Sequence, residues 1–410
     1  MNARRRTLIA AALVVGLAAG PVAASGAVAA GRTPTAVAAA PAPVFTSPPN
    51  AAALERAIAG LGADHPHATA ALVRVSGTAG SWQGSSGVAD IRTGRPAMEQ
   101  GRFRAGSVTK TFTAAVVLQL AAEGRVDPNR PVRDYLPDHI PAAYAQVTVR
   151  QLLNYTSGLP VADGPGDSFQ SQWEHRFDVV DPRAQIANAV AKEREFAPGE
   201  AQHYSNINYT VLGVLIEKLT GTTYERAVEQ RIAKPLGLRH TWVPGRTEVR
   251  IHGPHNRGYQ AVARPDGSVE RRDVTVWNQS DRWAAGGLIS TTEDLERFTQ
   301  ELFAGRVVPR PQLEEMFTVP QVRDISGKEA TRSAGLELKR LPDGTEVWGK
   351  GGGRPGYNTG IGGVRDGSRV VVYSVNSLDA KAITPSPVAT AVVMAALAPQ
   401  EPGRSPLPGA

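Results

Sequence analysis

Hydrophobic and polar positions divide the chain into two strand-rich ends around a helical middle. Residues 69–76 and 82–89 flank a Gly77-to-Gly80 turn and predict an early hairpin. Late in the chain, 334–341, 345–351, 358–364 and 369–375 read as extended. Asp343-Gly344 and Asp366-Gly367 separate two of these pairs, and Asp-Gly is a strong hairpin signal. Between the two ends, helical periodicity covers 107–123, 149–155, 181–193, 206–219, 223–233 and 292–303. Gly124 and Gly221 stand where helix C-caps belong. A final helix is expected near 387–397. Consecutive hairpins imply antiparallel pairing. The order strands, helices, strands then predicts an α+β fold: an antiparallel β-sheet covered by helices on both faces, with a mostly helical second region. The expected units are an α/β region at 51–127 and 285–398 and a helical region at 128–284. A catalytic cleft would lie between them.

The ends of the chain read differently. Arg4, Arg5 and Arg6 precede an apolar run from Thr7 to Gly20, and Ala27-Val28-Ala29 fits a small-residue cleavage site. Residues 1–29 are therefore expected to be a signal peptide that exports a secreted, extracellular protein. The run is short of the ~20 residues a membrane span needs, so no membrane association is expected after cleavage. The three arginines also allow the twin-arginine route. Residues 30–50, rich in Ala, Pro and Thr, read as a flexible leader, and 399–410 as a disordered tail.

Composition narrows the chemistry. Hydrophobic residues make up 41 % of the 410 and charged residues 20 %, enough for a large core. There is no Cys, which removes disulfides, thiol nucleophiles and Cys-ligated zinc. The net charge of +7 includes the three arginines of the export segment. No basic cluster carries interleaved aromatics, so nucleic acid is not an expected partner. His65-Pro-His67 lacks a third ligand, and neither metal nor cofactor is expected.

Three motifs carry possible catalysis. In Ser107-Val-Thr-Lys110, residues three apart share a helix face, so hydroxyl and amine can meet over one turn. Ser107 falls at the expected helix start, where free N–H groups favour an oxyanion. The helix beyond it is apolar nearly all round, so Lys110 should be desolvated and able to accept a proton. A capping Ser followed by a snorkelling Lys has the same pattern. Chance alone supplies about 0.4 such tetrads with 21 Ser and 8 Lys. Tyr204-Ser-Asn206 offers a phenol for proton transfer and a carboxamide for a substrate amide. A loop Tyr and a capping Asn fit it equally well. In Trp348-Gly-Lys-Gly-Gly-Gly-Arg-Pro-Gly-Tyr357, Lys350 sits on an expected strand among glycines, whose missing side chains let a substrate backbone lie along the edge. The overlapping matches to dinucleotide and P-loop patterns fail, because Pro355 and the hairpin setting exclude one and no Ser/Thr or helix completes the other. No Gly-x-Ser-x-Gly elbow is present, which disfavours an α/β-hydrolase.

In this order the three motifs resemble those of the penicillin-recognising serine hydrolases: class C β-lactamases, actinomycete-type D-alanyl-D-alanine carboxypeptidases and related esterases. Gln151-Leu-Leu-Asn-Tyr-Thr-Ser-Gly-Leu-Pro160 is similar to a connecting string of that family, with Asn154-Tyr155 at the place of its usual His-Thr or a neighbour. Lys234-Pro-Leu-Gly-Leu and the run from Ala285 to Leu295 match as well. The likeness extends from about residue 55 to 395. It implies a Ser107 acyl-enzyme in which Lys110 and Tyr204 share the general-base role. Tyr204 would protonate the leaving group, and the Ser107 and Gly353 amides would form the oxyanion hole. Asn206, Lys350, Gly351 and Gly352 would bind substrate. The expected activity is that of a D-alanyl-D-alanine carboxypeptidase-like monomer acting on peptidoglycan-like peptides. Alternatives are a β-lactamase, a small-ester hydrolase, or a non-catalytic penicillin- or cell-wall-binding module. Two departures stand out. Lys350 replaces a common His, and Gly351 replaces a Thr whose hydroxyl could hold a carboxylate. Arg354 would either compensate or, as the plainer expectation, be solvated.

Overall fold

Successive side chains of a strand face opposite sides, so β1 (Ala68–Gly77) divides its apolar residues between two cores: Leu72 joins one, and Ala71, Val73 and Val75 join the other. A strand apolar on both faces must be covered on both. The computed structural model describes residues 45–397 apart from 167 and 383. The expected signal peptide, the first part of the leader and the 399–410 tail lie outside the described residues.

β1 is joined by β2 (Gly80–Asp90), β3 (Arg95–Pro96), β4 (Glu337–Arg340), β5 (Glu346–Arg354), β6 (Tyr357–Gly363) and β7 (Val370–Ser377). They form one sheet in the order β4-β5-β6-β7-β1-β2-β3, antiparallel at every step. Gly344 and Gly367, the second residues of the two Asp-Gly turns, have φ of +86° and +74°, a region that glycine enters without steric cost. Helices α1 (Ala51–Ile58), α2 (Thr109–Ala122), α3 (Asn206–Thr220), α4 (Thr292–Phe303) and α5 (Pro387–Leu397) do the covering. Leu54 and Ile58 of α1 and Val388 and Val392 of α5 pack on the Val73/Val75 face. Leu295, Phe298 and Leu302 of α4 pack on the side of Leu72 and Val372. The fold is α+β, an antiparallel sheet with helices on both faces.

Several local expectations need correction. The end of the leader is held against the sheet: the Phe45 amide donates to Ser368 Oγ at 3.2 Å, the Arg369 guanidinium stands 4.8 Å over the Phe45 ring, and Asn50 caps α1. An aromatic ring with a cation over it is worth ordering, whatever its Pro-rich flanks suggest. The expected 223–233 helix breaks into Tyr224–Val228, a π-turn at Glu229–Ala233 and a last turn at Lys234–Leu236. The middle region is less helical than expected. It contains a hairpin, Tyr259–Ala263 with Val269–Asp273, around Gly267 at φ +84°, and the short helix Phe169–Glu174.

Candidate active site

Phe103 and Arg104 pair with Ser290 and Ile289, and the chain then turns sharply at Gly106, φ +52°. The expected helix at 107–123 is divided. Gly106–Val108 is a 3₁₀ turn, and α2 proper begins at Thr109. Ser107 is therefore not the cap of an α-helix. It sits on the tight turn before one, half-buried. Lys110 follows at one turn's distance, on a helix buried on nearly every side, and its side chain is 0 % exposed.

That burial decides its chemistry. Lys110 Nζ donates to Ser107 Oγ at 3.2 Å, to Asn206 Oδ1 at 2.7 Å and to the Ala285 carbonyl at 2.6 Å. Burial strips water from the ammonium and, with Lys350 and Arg282 pushing the same way against Tyr204, lowers it to about 8. Burial alone would raise the Tyr204 phenol. The ammoniums of Lys110 and then Lys350, with hydrogen bonds to Ser107 and Lys110, outweigh it and bring the phenol down to about 7. Lys350 Nζ stands 4.7 Å, Lys110 Nζ 5.0 Å and Arg332 Cζ 5.0 Å from the centre of the Tyr204 ring. Two groups that normally carry protons at neutral pH are thus poised to exchange one there.

Tyr204 reaches this place through a tether the sequence did not reveal. Ala201 and Gln202 pair with Arg323 and Asp324. The buried Gln202 carboxamide donates to the carbonyls of Asn154 and Arg332 and accepts from the amides of Thr331 and Arg332. Tyr155, left-handed at φ +64°, lays its ring 5.0 Å from that of Tyr204. Asn206 opens α3, and because its oxygen accepts from Lys110, its NH₂ is the end that remains a donor.

The third motif lies on β5. Its partner β4 pairs only as far as Glu337 opposite Gly349, so Lys350 to Gly353 have β6 on one side and an open edge on the other. A Cβ on Gly352 would collide with the Ala105 carbonyl and lie 2.8 Å from the Ser107 nitrogen. One on Gly353 would lie 2.8 Å from the Ala380 carbonyl. Only bare backbone lets β5 approach the Ser107 turn so closely, and this contact brings the Ser107 and Gly353 amides near one another. Gly351 is different, since a Cβ there would meet only the Thr359 carbonyl, at 4.0 Å. Ser107, Lys110, Tyr204, Asn206 and Lys350 all converge, with Gly351 to Gly353 beside them.

Arg354 is neither solvated nor aimed at a ligand. It is buried, with two nitrogens on the Asp281 carboxylate at 2.9 and 3.0 Å and one on the Asn278 carbonyl at 3.2 Å. The bidentate geometry matches a guanidinium to a carboxylate, and it leaves Arg354 unable to stand in for the missing threonine hydroxyl. Residues the motifs did not point to include Arg332, Tyr155 and the Ala285 carbonyl. Ala285 and Tyr155 lie in the connecting strings noted above. A backbone oxygen or a packing ring, however, has no chemical signature of its own.

A family model described as "Beta-lactamase" matches residues 54–389. Among curated proteins, penicillin-binding protein 4* of Bacillus subtilis (strain 168) is 28 % identical over 299 residues, 71 % of this chain and 64 % of that protein. The chain spans less than two thirds of the length of the curated relatives it matches. Among solved structures, D-stereospecific amidohydrolase from Streptomyces sp. is 35 % identical with a TM-score of 0.73, covering 85 % of this chain and 99 % of that one. D-amino acid amidase from Ochrobactrum anthropi SV3, complexed with D-phenylalanine, is 26 % identical with a TM-score of 0.68, covering 83 % and 98 %.

Proposed function

The chain belongs to the beta-lactamase family, a family of serine hydrolases, and from that premise we propose that it is an exported peptidase of D-alanyl-D-alanine carboxypeptidase type, working through a Ser107 acyl-enzyme on cell-wall peptides. The observation that carries this reading is the buried Lys110 amine 3.2 Å from Ser107 Oγ, with Tyr204 in reach of both. Ser107 Oγ attacks the carbonyl of the penultimate residue and loses its proton to Lys110 or Tyr204. The tetrahedral oxyanion is held by the Ser107 and Gly353 amides. Tyr204 then protonates the departing amine, and water entering in its place clears the acyl group by the same route reversed. Asn206 donates its NH₂ to the carbonyl of the substrate's acyl-side amide. Lys350 and Arg332, both over the Tyr204 ring, put two cations where the leaving group departs, which suits a free carboxylate.

A second reading is a D-stereospecific amidohydrolase, favoured by the 35 % identity across almost the whole of that solved structure. Product analysis separates the readings: D-alanine released from an acyl-D-Ala-D-Ala peptide supports the first, and turnover confined to D-amino acid amides supports the second. Cephalosporin and nitrophenyl-ester turnover measure the β-lactamase and esterase alternatives. Mass spectrometry after a β-lactam or a fluorophosphonate tests the acyl-enzyme itself. An adduct on Ser107 supports it, and no adduct with either reagent overturns it in favour of a non-catalytic binding module. Export is tested by sequencing the N-terminus of protein recovered from culture medium, expected at Ala30.

A further inference from the structure

Gln202 lies two residues before Tyr204 and is 1 % exposed. A carboxamide has two N–H donors and an oxygen with two lone pairs, and here all of them are used. Nε2 donates to the Asn154 and Arg332 carbonyls at 2.8 and 2.7 Å, and Oε1 accepts from the Thr331 and Arg332 amides at 3.2 and 3.1 Å. Asn154 is 48 residues before Gln202 and Arg332 is 130 after it. One buried amide thus ties three distant segments, and each delivers a group to the same ring. Its own segment carries Tyr204. The Asn154 segment carries Tyr155, whose ring centre is 5.0 Å from that of Tyr204 and whose carbonyl accepts from the His203 amide at 3.0 Å. The third carries Arg332, with Cζ 5.0 Å from the Tyr204 ring centre.

Arg332 depends most on this grip. Its Nε is buried without a hydrogen-bond partner, and no ion pair holds its guanidinium among the described residues. Asp324 and Glu337 feel its charge only at longer range. The side chain is therefore placed over the phenol by its backbone, and Gln202 takes both the N–H and the C=O of that residue. The other titratable groups acting on the Tyr204 phenol are the amines of Lys110, Lys350 and Lys381 and the phenols of Tyr155 and Tyr209, which burial pushes up and keeps protonated.

We propose that Gln202 is a positioning residue for proton transfer: its carboxamide holds Tyr204, the Tyr155 ring and the Arg332 cation in one register, so that the phenol stands where it can exchange a proton with Ser107. The inference rests on the reading in which Tyr204 carries that proton, and adds the residue that assembles its surroundings. Gln202 itself touches neither substrate nor the reacting atoms.

Gln202→Met keeps the length of the side chain and removes all four hydrogen bonds, whereas Arg332→Met removes the cation and leaves the backbone contacts. With a neutral nitrophenyl ester, Gln202→Met should lower kcat by roughly tenfold to 100-fold with KM unchanged. Both substitutions should move the acid limb of kcat/KM to higher pH by about one unit. The double variant should move it no further than Gln202→Met alone, because the cation is already displaced. Tyrosinate absorbance in the near ultraviolet, titrated in the Ser107→Ala background with Tyr204→Phe as the blank, follows the same shift without turnover. A limb and a tyrosinate titration that stay in place in either single variant, or single shifts that add in the double, overturn the proposal even if stability falls. Should Gln202→Met not fold, Gln202→Asn takes its place. It keeps the amide but is one methylene short of the 331–332 backbone, and a shift of the same sign is expected. Failure of the acyl-enzyme reading shows separately, as absence of fluorophosphonate labelling at Ser107 in the wild-type protein, and the tyrosinate titration then still decides the role of Gln202.

Discussion

Gly106 and Gly353 meet backbone to backbone: a Cβ on Gly106 would lie 2.7 Å from the Gly353 nitrogen, and Gly106 holds φ at +52°. The turn that presents Ser107 and the strand that carries the Gly353 amide are thus in direct contact. Gly106→Ala must push them apart as well as strain the turn. Stability should fall by about 1–3 kcal/mol. The loss of kcat toward any ester or peptide should be about 100-fold with little change in KM, because a misplaced donor is felt mainly in the transition state. Steady-state kinetics with a denaturation curve on the same preparation reads both.

The proton acceptor must be unprotonated to work. With Tyr204 brought down to about 7 and Lys110 to about 8, kcat/KM should fall with acid below pH ~7 and level off above pH ~8. Lys350 lowers both groups, so Lys350→Met should move this limb toward higher pH. A nitrophenyl ester without a carboxylate isolates the effect from substrate binding. An unmoved limb would mean that Lys350 does not act on the acceptor.

Gly351 has space that its neighbours lack. Gly351→Thr should leave stability within about 0.5 kcal/mol, because its Cβ meets only the Thr359 carbonyl at 4.0 Å and Thr suits a strand. The added hydroxyl beside Lys350 should lower KM for a peptide with a free C-terminal carboxylate by about tenfold. KM for a neutral ester should not change. The ratio of the two KM values is the measurement.

Removing the Arg354 guanidinium takes away the bidentate partner of the Asp281 carboxylate, whose ion pairs among the described residues then reduce to Arg282, at 3.4 Å. Arg354→Met should cost about 2 kcal/mol, below the ~3–5 kcal/mol of a fully buried pair because Asp281 is partly open to solvent. Arg354→Lys should recover little, since one ammonium cannot span both oxygens. Urea midpoints of the three proteins decide it.

Much of the fold was legible in the residues. The two Asp-Gly turns, the early hairpin and the 292–303 and 387–397 helices are where periodicity and turn residues place them. The hairpin around Gly267 is not legible although Pro265-Asp266-Gly267 signals a turn, because its second strand, Val-Glu-Arg-Arg-Asp, carries a single apolar residue and neither strand shows clean alternation. The π-turn at Glu229–Ala233 was missed because a single wide turn leaves no repeat to read. The environment of Arg354 was out of reach for another reason, its partner being 73 residues away.

By itself the sequence determined what is local: strands and helices from patterns two or 3.6 residues long, and a serine and a lysine on one turn, because such spacings follow from a few backbone geometries. Tertiary structure decided the rest. It brought Tyr204, Asn206 and Lys350 from distant segments to Ser107, buried Lys110 deeply enough to lower its amine, gave Arg354 to Asp281 and left Gly351 open. Proton affinity and free space depend on which groups crowd an atom after the chain has closed its loops, and neighbours in space are not neighbours in sequence.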